Sequence, residues 1–176
     1  MIVYFLELGN FGIPVFGLLI AVSVLGGLVV MRKFLLSSVD VKIAENVAIT
    51  SVLLGFLGAK IWYEIFVAEN FFRDFDIREG ISGIVFHGGF ITGSLAFVLI
   101  SKFYRLPLLC MLDAGSLALL FGFGVGRLAC QISGDGDYGL PTDSFIGMAY
   151  KSGVIPIWEP VYPTPIFESL TALAGF

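Results

Sequence analysis

The sequence predicts an all-α fold: a polytopic membrane helical bundle with four complete transmembrane helices, the start of a fifth, and an outward-facing N-terminus. Three observations carry this. Of the 176 residues, 57% are hydrophobic and 14% charged, far less charge than a soluble surface of that size carries. Mean hydropathy is +0.96. The apolar residues also fall into charge-bounded runs of about 20, the length a helix needs to cross a hydrocarbon core.

The first run, Pro14 to Met31, follows MIVYFLELGNFGIP, which holds Glu7 and neither Lys nor Arg. A cleaved signal peptide opens with positive charge, so this segment reads as a retained span. The second run extends from Val47 to Val67, the third from Gly83 to Ser101 and the fourth from Leu108 to Arg127. A fifth begins near Pro163 and reaches Phe176 before it is long enough to span. Residues 1–176 therefore read as a single integral membrane domain, incomplete at its C-terminus, with no internal repeat or low-complexity tract.

Orientation follows from the short loops, because cytoplasmic ones carry the excess of Lys and Arg. Arg32, Lys33 and Lys42 follow the first span, and Lys102 and Arg105 the third. In the second loop Arg73 and Arg78 are offset by Glu69, Asp74, Asp76 and Glu79. The fourth sets Lys151 against Asp135, Asp137, Asp143 and Glu159. Odd loops thus lie inside, and the N-terminus and even loops outside.

Charge inside a span costs about 2.5–3.5 kcal/mol on insertion scales, so each such residue is a functional candidate whose partner should be named. His87, the only histidine, is expected about one turn into the third span, beside Gly88 and Gly89. Arg127 is expected to end the fourth. Lys60 and Glu64 share a helix face and can neutralise one another. Glu168 enters at the start of the fifth, and only Asp113 falls on the opposite side. The plain alternatives are that Arg127 snorkels to the interface and that Lys60 pairs with Glu64 purely for insertion. A histidine flanked by glycines has no snorkelling route. After Arg127, Ser133, Gly134, Asp135 and Gly136 form a turn-rich re-entry.

Other chemistries are excluded or unsupported. A net charge of -4 without a basic stripe argues against nucleic acid. Cys110 and Cys130 lack metal-ligand spacing and read as buried small hydrophobes. In DGDYG the calcium-ligand series stops after two aspartates with the glycine misplaced, and nothing else points to a metal or organic cofactor. Gly89/Gly93 and Gly122/Gly126 form small-xxx-small pairs suited to helix packing.

An ordered series of segments closes the reading: IPVFGLLIAVSVLGG, GAKIWYEIF, GIVFHGGFITG, LDAGSLALLFGFGVGRLACQISGDGDYGLPTD and VYPTPIFESL. In this order they resemble the prolipoprotein diacylglyceryl transferases along nearly the whole chain. The resemblance implies a bacterial inner-membrane enzyme with its active site facing the outer leaflet. It would move a diacylglyceryl group from phosphatidylglycerol to the lipobox cysteine of a prolipoprotein signal segment, surrounded by membrane lipids and without a cofactor. It also implies catalytic roles for His87, toward the thiol, and Arg127, toward the lipid phosphate. Substrate-binding positions would be Phe16, Lys60, Gly88, Gly89, Asp135 and Glu168, with no metal site. The chain departs from the family pattern where Phe16 replaces a tyrosine, Lys60 an arginine, Ala129-Cys130 a Gly-Asn and Val161-Tyr162 an Arg-His. The loop between Gly134 and Gly139 is also one residue longer, marking a divergent branch. Two rival readings are a relative acting on another acceptor, and a phospholipid-binding or transport protein without chemistry.

Overall fold

The computed structural model describes residues 4–8, 11–35, 38–66 and 85–176. The charges of the second loop, Glu69 to Glu79, and the expected span limits Val67 and Gly83 lie outside them. A short antiparallel hairpin, β1 (Tyr4–Leu8) and β2 (Phe11–Pro14), leads into α1 (Val15–Leu35). Next come α2 (Val41–Phe66), α3 (Phe86–Phe103) and α4 (Leu108–Ser133). A second antiparallel hairpin, β3 (Met148–Tyr150) and β4 (Ile157–Val161), precedes α5 (Thr164–Ala174). The four helices α1 to α4 are long and apolar enough to cross a membrane, and the chain is a multi-pass helical membrane protein.

Two helices outrun the spans expected from hydropathy. Helix α2 begins at Val41 rather than Val47 because Asp40 caps it, its Oδ1 accepting the Lys42 N–H at 3.0 Å. Polar residues such as Lys42 and Glu45 then fill the first turns, outside any apolar window. Helix α4 continues through Ser133 rather than ending at Arg127. Helix continuity depends on backbone hydrogen bonds, not on side-chain polarity, so a charge that finds a partner need not mark an end. Neither hairpin was expected; each is only a few residues long and lies beside a span whose hydropathy dominates the local signal.

The contacts divide the chain into two compact units, each described by itself. In the unit Arg32–Gly115, α2 and α3 approach through glycine. A Cβ on Gly55 would lie 3.1 Å from the Gly89 carbonyl oxygen and 3.5 Å from the Gly93 Cα, so the two backbones meet nearly directly. Helix α3 ends with Arg105 in the left-handed region, φ 54°. The Leu106 N–H donates to Ser101 O and the Arg105 N–H to Lys102 O, both at 3.0 Å, the Schellman pattern. Glycine usually fills that position, and a side chain there costs about 1–2 kcal/mol.

The other unit comprises residues 1–31 and 116–176. Gly27 sits against the Ala118 carbonyl, where a Cβ would lie 3.0 Å away, so α1 and α4 also touch backbone to backbone. Helix α5 is tied to α4 by the buried Ser169 hydroxyl, which donates to Gly124 O at 2.7 Å. The segment between α4 and α5 folds back on itself. Val154 N–H reaches Ser133 O at 3.0 Å, and Gly139 N–H reaches Tyr162 O at 2.9 Å. Its core is the Tyr138–Tyr150 ring stack, centroids 4.1 Å apart. Tyr150 donates to Gln131 Oε1 at 2.8 Å and Tyr138 to Ile155 O at 2.8 Å. Burial pushes both phenols above their ordinary range, so both remain neutral donors.

Candidate functional site

The unit containing α5 collects its charge around Arg127. Because α4 persists to Ser133, Arg127 projects from the helix body and not from its last turn. Its side chain is only 15% exposed. Nη1 donates to Asp137 Oδ2 and, at 3.6 Å, to the Cys130 sulfur one turn on. Nε faces Glu168 Oε2, an ion pair without the alignment of a hydrogen bond. The guanidinium carbon stands 5.9 Å from the Phe123 ring centroid. Arg127 is held by carboxylates from the following loop and from α5 and is not extended into solvent.

The geometry follows from local sequence. Gly134 (φ 63°) stops α4, and Gly136 (φ 101°) turns the chain again, in conformations few other residues adopt. The expected re-entry therefore starts one residue later than Ser133, which is still helical and bonds back to Ala129 O at 2.8 Å. The two turns return Asp137 to the arginine. Thr164 and Pro165 open α5 so that Glu168 falls on its second turn, beside the Ser169 tether. Asp137 and Glu168 are respectively 60% and 40% exposed, so the guanidinium is the more buried member. With both carboxylates ionised the three groups sum to one negative charge.

Asp135, the acidic position singled out from sequence, lies next to the Cys130 sulfur. One ligand atom from each of Cys130, Asp135 and Asp137 falls within 4.8 Å of the others. That spacing could hold a cation, and the cation on Asp137 here is the Arg127 guanidinium itself. Cys130 is buried as expected, but its sulfur accepts a hydrogen bond, so it is more than a small hydrophobe. Cys110 is only partly buried, a correction to the same reading, because it occupies the first turn of α4. Asp137 was missed as a partner. The available signal was an acidic turn directly after a glycine helix stop, within reach of a charge several residues up the helix.

Phe16 belongs to the same unit, in the first turn of α1 and partly buried. Lys60, His87, Gly88 and Gly89 belong to the other. There Lys60 Nζ and Glu64 Oε1 are 2.8 Å apart, the pair expected from their spacing. The Glu64 side chain is only 2% exposed. His87 is the second residue of α3, not one turn in, and is exposed; the edge of the Phe86 ring meets it at 5.8 Å between centroids. Gly88 and Gly89 serve the approach of α2. A Cβ on Gly88 would lie 2.4 Å from Trp62 Cβ, and one on Gly89 3.1 Å from Ala59 Cβ. The Val85 N–H donates to Ala59 O at 3.2 Å, so the turn bearing His87 is level with the turn bearing Lys60.

A family model described as prolipoprotein diacylglyceryl transferase matches residues 3–176. The phosphatidylglycerol–prolipoprotein diacylglyceryl transferase of Leptospira interrogans serovar copenhageni is 38% identical over 97 residues, 54% of this chain and 30% of that protein. Its namesake in Prochlorococcus marinus strain MIT 9215 is 28% identical over 193 aligned positions, 98% of this chain and 65% of that protein. A second transferase of this name in Clostridium perfringens is 33% identical over 128 residues, 71% of this chain and 50% of that protein. Across these three relatives the matched share of the longer protein thus runs from 30% to 65%. With the family pattern matched from residue 3 to residue 176, the chain belongs to the prolipoprotein diacylglyceryl transferase family.

Proposed function

We propose that this protein transfers the diacylglyceryl group of phosphatidylglycerol to a cysteine thiol of a prolipoprotein and releases glycerol phosphate. The observation that carries the reading is the family match over residues 3–176. In the reaction the sulfur attacks the glyceryl carbon bonded to the phosphate oxygen. The C–S bond forms, the C–O bond breaks, and its electron pair leaves on the phosphate. The thiol proton goes to a base, and the step balances without a cofactor.

The chain's side chains suit these demands. His87 is exposed, as a group that must reach a thiol has to be, and an imidazole is the side chain best suited to take a proton near neutral pH. Arg127 offers a planar fork of donors matched to phosphate oxygens, in a partly dry setting where such contacts strengthen. In the unit that holds Arg127, Phe16, Asp135 and Glu168 would contribute to substrate binding, and in the unit that holds His87, Lys60, Gly88 and Gly89 would do so. Both substrates are anchored in lipid, so the site belongs at a membrane face. The charge balance of the loops supports a site facing the outer leaflet, and the family resemblance supports the bacterial inner membrane.

The test is direct. The purified full-length protein, in vesicles containing labelled phosphatidylglycerol, is expected to label the cysteine of a lipobox peptide. No labelled peptide, under conditions where the Leptospira relative works, overturns the proposal. Label on a different acceptor would redirect it.

A further inference from the structure

We propose that Asp137 is a displaceable counter-ion that holds the Arg127 phosphate-binding fork between turnovers and drives the released phosphate monoester away from it. The inference rests on the reading of Arg127 as the phosphate-binding residue and adds a residue to which neither the family match nor the sequence pattern gives a role.

Arg127 is the more buried partner, at 15% exposure, and two separate carboxylates engage its donors. A phosphate oxygen approaching Nη1 therefore meets a carboxylate oxygen already there. The two carboxylates differ in how they are held. Glu168 sits on α5, next to Ser169, whose buried hydroxyl bonds α4 at 2.7 Å. Asp137 is 60% exposed, on a loop directly after the left-handed Gly136. Rotating its side chain toward solvent frees Nη1 without moving a helix. Asp137 is thus the carboxylate that yields.

Charge then decides what can displace it. The substrate phosphodiester carries one negative charge. The leaving group is a phosphate monoester, carrying about -1.5 to -2 at pH 7 by analogy with phosphorylated side chains. Against a guanidinium flanked by Glu168, a returning Asp137 carboxylate repels the monoester more strongly than the diester. Substrate is admitted and product is expelled by the same group, which acts through Arg127 and is a positioning residue.

The experiment uses the purified full-length protein in detergent micelles and measures glycerol phosphate binding by titration calorimetry for native protein, Asp137→Asn and Asp137→Glu. Asp137→Asn removes the charge and keeps the shape, at an exposed position where folding is retained. It is expected to bind glycerol phosphate about tenfold more tightly than native protein, while Asp137→Glu returns to the native value. In the transfer assay, glycerol phosphate is expected to inhibit Asp137→Asn at about tenfold lower concentration, with the KM for phosphatidylglycerol changed less than about threefold. Unchanged or weaker glycerol phosphate binding by Asp137→Asn overturns the inference. The outcomes separate the two readings. Transfer by native protein with no change in product affinity sinks only the role of Asp137. Tighter binding by the variant without transfer by native protein sinks only the transferase reading.

Discussion

The protein pairs the charges on its long apolar helices in two ways. On α2, Lys60 and Glu64 neutralise each other one turn apart, with Glu64 buried at 2% exposure. Around Arg127, a cation on α4 meets one carboxylate from a loop and another from α5, and the sum is negative. The contact in the first arrangement is set by the geometry of a single helix. The second exists only once three segments have assembled. A locally closed pair suits structure, whereas an open group with exposed members can exchange a partner for a ligand.

Substitutions can break that contrast. Arg127→Ala is expected to reduce diacylglyceryl transfer by about 10²–10³-fold, the usual effect of removing one donor to a developing anion. Transfer by folded Arg127→Ala within tenfold of native would make the cluster as structural as the α2 pair. Glu64→Ala is expected to act on stability instead, lowering the unfolding free energy in micelles by about 3 kcal/mol because it removes the carboxylate 2.8 Å from a partly buried ammonium. The double variant Lys60→Leu/Glu64→Leu should recover most of that loss, and failure to recover it would give the pair a role beyond insertion. The smallest effect belongs to Ser169→Ala, which removes one α4–α5 hydrogen bond and should cost about 1 kcal/mol by the same measurement. A loss well above that would mean the α5 tether, and with it the placement of Glu168, depends on this single hydroxyl.

Much of this was legible in the sequence, for identifiable reasons. Apolar runs gave the four spans because bilayer thickness sets their length, and the i, i+4 rule gave the Lys60–Glu64 pair because helix geometry fixes that distance. The glycines of α3 were readable as a packing stripe, and Gly55 on α2 meets them. Where the α4 helix ended was not readable, since Arg127 looked like a boundary and its compensating carboxylates are distant in sequence. The acid that faces it was not legible for the same reason. Two aspartates flank Gly136, and only the positive φ values at Gly134 and Gly136 bring Asp137 to the guanidinium. The Tyr138–Tyr150 stack, which steadies the turn beyond them, arises from a hairpin too short to leave a periodic signal.

The ten-residue separation of Arg127 and Asp137 has a bearing on biosynthesis. A ribosome adds about 5–20 residues each second, so the loop acid emerges within about two seconds of the arginine. Glu168 follows only after the whole β3–β4 hairpin has been made. During translation, the nascent fourth helix thus acquires its first covalently tethered neutralising partner from its own trailing turn, before the fifth helix exists to supply another.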